Sequence, residues 1–393
     1  MPEIGYSLLI DNVPAGAEII DAVEHVDIER GLGMADVLRL RLGVALSEDG
    51  NRWVIADDGV FERLTSLRVL LTFGLGLPVV VFDGYVAETD LELSEDPGVS
   101  SLTVVALDAT ALMNLEEKVR EWPNMPDSAI ATVILAEYAL VPVVDVTQPV
   151  RTQLETTVIQ RDTDIRFLRH LAHRNGFDVY VKPTPVPGLV EGHFHPPPLD
   201  LPPQGVLSVN FGELTNIRSF RIRRQMLRPA AVDARGVDAR TVQRQAASVN
   251  TTQNTELGRE SLLSGGRSRS IALRNPGLSQ TGELQTFAQA SVDRSAWAVT
   301  VEGELETAVY GDALDAGRTV LVRGAGSTHS GTYFVERVHH AIDGERYTQR
   351  FTLRRNAVAP LGTELYVQDT ALPGVNRAAG MIGDEPGRRR DEP

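Results

Sequence analysis

Several short stretches of the sequence combine residue types that carry chemistry in other proteins. Residues 324–329 place a serine and a histidine among glycines, but a nucleophile elbow needs a glycine two residues to either side of its serine. Residues 74–76 hold two glycines without the third glycine and the following helix of a dinucleotide-binding loop. Asp90, Glu92 and Glu95 could include the carboxylate pair of a glycosidase. We interpret the first stretch as a turn and the acids as a solvated strand edge, and we predict that the protein is not an enzyme.

His193 and His195 form a His-x-His pattern, which on a strand would put both imidazoles on one side, where they could hold a metal ion. Such a site needs a third ligand, and no nearby residue supplies one. Prolines crowd residues 184–204, and because proline fixes φ and removes an N–H donor, we predict a stiff, exposed connector. The two histidines are then exposed loop residues, and we predict neither a metal nor a cofactor. The chain has no cysteine, which excludes disulfides and cysteine-bearing zinc sites.

Length and charge narrow the class of protein. The chain has 393 residues, 42% of them hydrophobic, which is enough for two or three domains. Its formal net charge of -15 argues against specific nucleic-acid binding, because affinity for phosphates comes from lysine and arginine. The most apolar stretch, residues 69–82, is too short to span a membrane and contains glycines and a proline. The N-terminus lacks the features of a signal peptide, and we expect no membrane partner.

The clearest structural unit reads as strand, helix and strand between residues 157 and 181. Asp162 or Thr163 can cap the helix, because a short side-chain oxygen accepts hydrogen bonds from the first free N–H groups. Asp164 in the first turn suits the helix dipole, and Gly176 is placed for a left-handed C-terminal cap. Apolar residues recur at helical spacing and predict one buried face. The arginines and histidines of the helix take the other face, which could meet a neighbouring subunit.

The remaining patterns predict a mainly β, α+β fold. Residues 37–46 alternate apolar and polar side chains, the period of a half-buried strand, and similar runs recur at the spacing of a barrel or sandwich. Residues 246–282 are polar and predict a long mobile loop, whereas residues 283–298 predict a helix. On the strand that contains His339 and His340, one histidine should be buried and the other exposed, since neighbouring residues face opposite sides.

These patterns divide the chain into five predicted regions. Two β-rich parts flank a small α/β insert, which combines the unit described above with a similar helix and strand before it. The regions are a first β-rich part at 1–115, the insert at 116–183, the proline-rich connector at 184–204, a second β-rich part with a long polar loop at 205–360, and a C-terminal tail at 361–393. The family resemblance given next implies that both β-rich parts are tube-like β-barrel domains.

Two stretches carry residue patterns that occur together in one known family. The first pattern is formed by Asp164, Phe167, Leu168, Leu171, Ala172 and Gly176. The second is formed by Gly331, Tyr333, His339 and Phe351. The first stretch resembles the late control protein D family of contractile phage tail hubs, and the second resembles that family's C-terminal hairpin. Relatives of the family include the N-terminal part of VgrG spike proteins and the hubs of extracellular contractile injection systems. The two matches follow each other in the order that the family requires.

This resemblance implies a structural role. Members of the family form homotrimers in which each subunit contributes two tube-like barrels, so that six barrels match the sixfold inner tube on one side and the threefold spike on the other. The implied partners are the inner tube protein, a separate spike protein and baseplate proteins. The protein would be assembled in the cytoplasm and then form part of a virion tail or of the baseplate of an injection particle. The resemblance leaves open which of the two it serves.

Two other classes of function remain open at this point. The first is a carbohydrate-binding protein of the tail tip or baseplate, for which exposed tryptophans would be expected among Trp53, Trp122 and Trp297. The second is a cell-wall hydrolase. A further hypothesis follows from the acidic composition: the lumen of the hub would be negative and would repel DNA, letting it slide through.

Overall fold

The computed structural model describes residues 4–150, 157–238, 241–263, 269–274, 281–344 and 346–366. Strands dominate and the helices are few and mostly short, so the predicted mainly β, α+β fold is confirmed. The part of the predicted tail beyond residue 366 lies outside the described residues.

The strands are β1 (Ile4–Ile10), β2 (Val13–Pro14), β3 (Val23–Gly31), β4 (Val37–Gly43), β5 (Ser66–Phe73), β6 (Val79–Glu92), β7 (Ser101–Leu107), β8 (Glu117–Trp122), β9 (Val141–Val144), β10 (Val158–Thr163), β11 (Asp178–Pro183), β12 (Val190–His195), β13 (Val206–Ser208), β14 (Ile217–Arg224), β15 (Ala230–Val237), β16 (Arg244–Val249), β17 (Glu260–Ser261), β18 (Arg269–Arg274), β19 (Val299–Leu305), β20 (Thr319–Arg323), β21 (Gly331–Asp343), β22 (Arg346–Arg355) and β23 (Ala357–Val358). The α-helices are α1 (Ala17–Ala22), α2 (Asp127–Glu137), α3 (Asp164–Asn175), α4 (Thr281–Ala296), α5 (Thr307–Tyr310) and α6 (Gly326–His329), and short 3-10 helices cover Pro97–Val99, Ala109–Asn114 and Gly212–Leu214.

We refer to three parts of the molecule by their elements. The first β part contains β1–β7, the insert contains β8–β12 with α2 and α3, and the second β part contains β13–β23 with α4–α6. Each part has its own cluster of buried apolar side chains. In β4 the alternation of the sequence is realised directly, because Leu38, Leu40 and Leu42 are buried while Arg39 and Arg41 are exposed.

One sheet runs through both β parts. Thirteen strands take part, in the order β14-β19-β22-β21-β3-β4-β7-β6-β5-β1-β2, with β20 paired to β21 and β13 paired to β20. The seam between the parts is the antiparallel pairing of β21 with β3, in which seven residue pairs run from Arg337 opposite Gly31 to Asp343 opposite His25. The sequence analysis treated the two parts as separate barrels and did not predict this seam.

The insert folds as its sequence predicts around α3. Thr163 is the N-cap residue, and Gly176 ends the helix in the left-handed conformation with φ 74°. Antiparallel pairing joins β10 to β8, and β12 lies between β11 and β9 in a second small sheet. The apolar residues of α2 and α3 are buried against these strands.

Residues 246–282 are not one long loop. Within them β16 runs to Val249, and β18 pairs in parallel with β15 so that Ile271 lies opposite Val232. The helix α4, predicted from residue 283, packs on β15 and β16 and buries Leu284, Ala288 and Val292. Strand β18 was not predicted, because its residues RSIALR hold only three apolar side chains and these do not alternate with polar ones.

Residues 184–204 are not an exposed connector throughout. The proline-free stretch Val190–His195 forms β12, and its last four residues are buried. Arg68 of β5, itself buried, donates hydrogen bonds to the carbonyl oxygens of Thr184 and Val186. The prolines thus flank a packed strand, and the expectation that His193 and His195 lie in an exposed loop is wrong.

Candidate functional site

The strongest concentration of buried charge lies where the three parts of the molecule meet. Arg30 of β3 in the first β part is 6% exposed. Its Nε donates to the Asp36 carboxylate at 3.0 Å and its Nη1 to the Asp315 carboxylate of the second β part at 2.9 Å. Lys182 of β11 in the insert donates to the other Asp315 oxygen at 2.6 Å. Asp315 therefore binds one cation from each of the other two parts.

The charges of this junction shift the acidity of its members. Burial by itself would raise the pKa of Asp315, but Arg30 and Lys182 outweigh it and hold that pKa at about 2. Burial, together with the nearby Asp36 carboxylate, raises the pKa of Asp108 to about 7. Asp108 accepts hydrogen bonds from the Asp36 N–H at 2.7 Å and the Thr110 N–H at 2.9 Å. These contacts fix the start of β4 against the end of β7.

Neutral hydrogen bonds complete the junction. The Gln204 side chain donates to the Asp315 carbonyl at 2.9 Å and accepts from the Asp315 N–H at 2.8 Å. The sequence analysis did not single out Arg30, Asp36 or Asp315. No local pattern could have found them, since Arg30 and Asp315 are 285 positions apart.

A cleft of about 1000 Å³ opens beside the junction. Arg30, Lys182 and Asp315 line it together with an apolar wall of valines and prolines from all three parts. The tip of the β5–β6 hairpin stands next to it, and Leu75 and Leu77 at this tip are almost fully exposed. Exposed leucines beside an apolar cleft are typical of a protein interaction surface.

The residues of the first stretch that resembles the family lie in the apolar core of the insert and in a polar cluster around Asp164. Phe167, Leu168 and Leu171 are buried in its apolar cluster. The Asp164 carboxylate accepts hydrogen bonds from Lys118 Nζ at 2.6 Å, the Tyr138 hydroxyl at 2.7 Å and Gln160 Nε2 at 2.6 Å. Asp164 thereby ties α3 to β8 and to the end of α2, a structural role that leaves no free carboxylate oxygen for chemistry.

Besides ending α3, Gly176 allows the insert to pack closely against α4. A Cβ added there would lie 3.2 Å from the Cα and Cβ atoms of Ala290 in α4. The glycine therefore lets the insert approach the second β part closely, in a backbone conformation that other residues rarely adopt.

The second predicted signature surrounds a buried arginine. Tyr333 and Phe351 are buried in the core of the second β part, and a Cβ on Gly331 would lie 2.5 Å from an Arg355 nitrogen. The Arg355 guanidinium is fully buried and donates to the carbonyl oxygens of Leu257, Ser330 and Ala359. Gly331 thus makes room for the Arg355 guanidinium within the packing of the hairpin.

His339 and His340 lie on opposite faces of β21, as the alternation of side chains along a strand predicts. His339 is half-buried on the solvent face of the sheet, where its Nε2 contacts the Asp27 carboxylate. His340 is fully buried, and its Nδ1 lies 2.7 Å from the Tyr347 hydroxyl.

The solvent face of the long sheet carries charges of both signs. The row of facing residues Ser219, Glu304, Arg350, His339 and Glu29 crosses five strands. Arg350 pairs with Glu304 at 3.4 Å, and Arg337 of the next row pairs with Glu29 at 3.1 Å. The acidity of the chain is therefore not concentrated on this face.

The two histidines of β12 bind each other. His193 Nδ1 and His195 Nε2 are 2.9 Å apart, His193 Nε2 lies 3.1 Å from the Glu191 carboxylate, and His195 Nδ1 donates to the Pro196 carbonyl at 2.7 Å. Their ring nitrogens are thus engaged within the strand. Among the residues that the structure describes, no group of three or more histidine, aspartate or glutamate side chains is arranged to hold a metal ion.

The other stretches considered for catalysis lie on separate elements of the fold. Gly326–His329 is the short helix α6, while Asp90 and Glu92 are exposed on β6. Trp122 and Trp297 are buried and Trp53 is half-buried, so the tryptophans that a glycan-binding surface would expose are covered. Within the described ranges, no helix is both long and apolar enough to cross a membrane.

Comparison with known proteins identifies one family model and several similar folds. The model described as the Alg8 N-terminal domain matches residues 60–344. It is a different model from the late control protein D family that the sequence resembled, and to that extent the predicted family is corrected. No curated protein sequence matches the chain.

Three solved structures share the fold over most of the chain. A tail protein from Neisseria meningitidis MC58 is 13% identical, with 90% of this chain and 97% of that chain covered and a TM-score of 0.63. The 43 kDa tail protein of prophage MuSo2 from Shewanella oneidensis is 12% identical, with 91% and 100% covered and a TM-score of 0.62. The E. coli c3393 protein, a type VI secretion component with structural similarity to the T4 tail proteins gp27 and gp5, is 12% identical, with 88% and 76% covered and a TM-score of 0.54. At these identities the likeness shows the fold.

Proposed function

The chain belongs to the Alg8 N-terminal domain family, and from its fold we propose that it is a structural hub subunit of a contractile phage tail or a phage-derived contractile injection system. The observation that carries the proposal is the sheet that runs through both β parts and ends in two open edges. The fold it shares with tail proteins and with a type VI secretion component supports the same role.

One open edge is β14, which among the described residues pairs with β19 alone. The Gln225 N–H donates to the Ala298 carbonyl on the β19 side at 2.8 Å. Because neighbouring residues of an antiparallel strand direct their N–H groups to opposite sides, the Arg224 N–H points away from β19. This edge presents unpaired backbone groups, which can bind a strand of another chain.

The other open edge is β1, which pairs with β5 on one side and meets β2 at its last two residues on the other. Exposed acids lie near it, namely Asp11, Glu18 and Asp21. The β14 edge instead carries the exposed arginines Arg221, Arg223 and Arg224. Opposite charges on the two edges favour head-to-tail contact between copies, and such contacts form a ring when the rotation from one copy to the next closes.

We assign this ring three copies, because the resemblance to tail hubs implies a homotrimer. Three subunits with two β parts each present six similar units to a sixfold inner tube and three to a threefold spike. The exposed leucines of the β5–β6 hairpin, Leu75 and Leu77, are candidate contacts to the tube protein or to the separate spike protein. In this role the protein is assembled in the cytoplasm, joins the baseplate of a tail or injection particle, and catalyses no reaction.

The proposal is tested by measuring the mass of the purified protein and by substituting a residue of the open β14 edge. Light scattering after size-exclusion chromatography should give the mass of three copies. Arg224→Pro removes an N–H from the open edge without touching the ladder to β19, so it should shift the protein towards monomer. The control Arg224→Ala loses the same side chain but keeps the N–H, and should stay trimeric.

Circular dichroism melting should show that both variants stay folded. A wild-type protein that is monomeric at all concentrations and co-sediments with neither tube nor spike protein would overturn the hub proposal. If both variants lose the trimer equally, the backbone N–H groups of the β14 edge do not hold the subunits together.

A further inference from the structure

A second meeting point of the three parts is lined by arginines. This pocket of about 240 Å³ lies between α3 of the insert and α4 of the second β part, with Gly33 of the first β part at its wall. Arg169, Arg294 and Arg354 all line it. We call it the arginine pocket. It is distinct from the Arg30 junction, which lies at the base of the large cleft.

The acids near the arginine pocket are already engaged. Asp178 accepts a hydrogen bond from Arg354 at 3.2 Å. Asp293 accepts from the Thr252 hydroxyl at 2.7 Å and the Gln253 N–H at 2.8 Å. The lining thus holds three guanidinium groups and two carboxylates, and Arg354 also pairs with the Glu336 carboxylate at 3.6 Å.

Two of the three guanidinium groups carry a buried donor that is unused. Arg169 Nε and Arg354 Nε are both buried without a hydrogen-bond partner in the part of the chain that the structure describes. A buried donor left unpaired costs about 1–3 kcal/mol. Burial also lowers the pKa of Arg169 and of Arg294, and outweighs the opposing effect of Asp108 on Arg169 and of Asp293 on Arg294.

The remaining wall suits a compact ligand. Arg354 lies over the Trp297 ring at 4.4 Å, which fixes the plane of its guanidinium. Arg294 donates to the His173 carbonyl, which holds it at the end of α3. Planar, oriented guanidinium groups recognise phosphate and carboxylate oxygens by paired hydrogen bonds.

From these observations we propose that the arginine pocket binds a small multivalent oxyanion of phosphate chemistry. The ligand would accept hydrogen bonds from the free Nε atoms of Arg169 and Arg354. Because the pocket is formed by the insert and both β parts, the bound anion would hold α3, α4 and the loop at Gly33 together. This inference does not depend on the proposed hub function.

The test uses the full chain and inorganic phosphate as the probe. Isothermal titration calorimetry should show saturable binding of phosphate, and phosphate should raise the melting temperature more than chloride at equal ionic strength. Arg169→Gln should weaken binding at least about tenfold, since it removes a charge and the free Nε donor. The control Arg166→Gln removes an exposed arginine from the same helix and should leave binding unchanged.

Arg294→Gln provides a second variant on the other helix, in case Arg169→Gln does not fold. Binding should weaken in it as well, and circular dichroism should show that the variant is folded without phosphate. Wild-type protein that shows no saturable heat with millimolar phosphate, or equal loss in Arg166→Gln and Arg169→Gln, would overturn the proposal.

Discussion

At the scale of single residues, His340 makes stability depend on pH. It is fully buried on β21 with its Nε2 unpaired within the described structure. Burial, with a contribution from the nearby Arg30 cation, lowers the pKa of His340 to about 3. The unfolded chain binds this proton at an ordinary histidine pKa, so the stability contributed by the neutral ring is present above that pKa and is lost as the pH falls towards 3.

We therefore predict that acidification from pH 7 to pH 5 lowers the free energy of unfolding by about 2 kcal/mol through His340 alone. Urea unfolding followed by fluorescence at both pH values measures this. His340→Phe keeps a ring of similar size without a titrating group, and its pH dependence should be smaller by the same amount. Identical dependence in the two proteins would refute the assignment.

At the scale of elements, the contact between α3 and α4 rests on Gly176. Alanine there must adopt a φ of 74° and places its Cβ 3.2 Å from Ala290. We expect Gly176→Ala to lower the free energy of unfolding by about 2–3 kcal/mol, part from backbone strain and part from the clash. Chemical denaturation measures the difference.

Gly188 offers the matched control for this prediction. It also has a positive φ, of 75°, but nothing lies within 4 Å of an added Cβ. Gly188→Ala should therefore cost about 1 kcal/mol, from strain alone. Equal losses of unfolding free energy in the two variants would show that the close approach of α4 to Gly176 does not contribute to the loss.

The elements also show what a sequence can reveal. The insert helix was predicted almost to the residue, because Thr163, Asp164 and Gly176 are local signals for a helix start and end. Strand β12 was missed because prolines flank it on both sides. Strand β18 was missed because its partner β15 lies more than thirty positions earlier, and a parallel pairing leaves no turn signal between the strands.

At the scale of the whole molecule, Asp315 joins the three parts. Asp315→Asn removes the charge that Arg30 and Lys182 share. Arg30 keeps Asp36, but Lys182 is left without its carboxylate, so we expect a loss of about 2–3 kcal/mol in the free energy of unfolding. Asp343→Asn, at an exposed strand end, should change it by less than about 0.5 kcal/mol.

Proteolysis distinguishes a loosened junction from general destabilisation. If Asp315 holds the parts together, the Asp315→Asn variant should be cleaved between parts while each part stays resistant. Uniform cleavage through the core of every part would contradict this. The junction itself could not be predicted, since its residues come from distant segments whose approach depends on the complete fold.

The seam between β21 and β3 decides how a subunit carries force. Alternate pairs among its seven facing residues exchange backbone hydrogen bonds, and these bonds lie at right angles to the strands. A force along the strands strains all of these bonds at once. A force across the sheet, applied at one end of the pair, breaks them one after another. A subunit mounted with its strands along the stroke of a contracting machine therefore meets the load in its strong direction, and the same subunit turned by a right angle would part at the seam first.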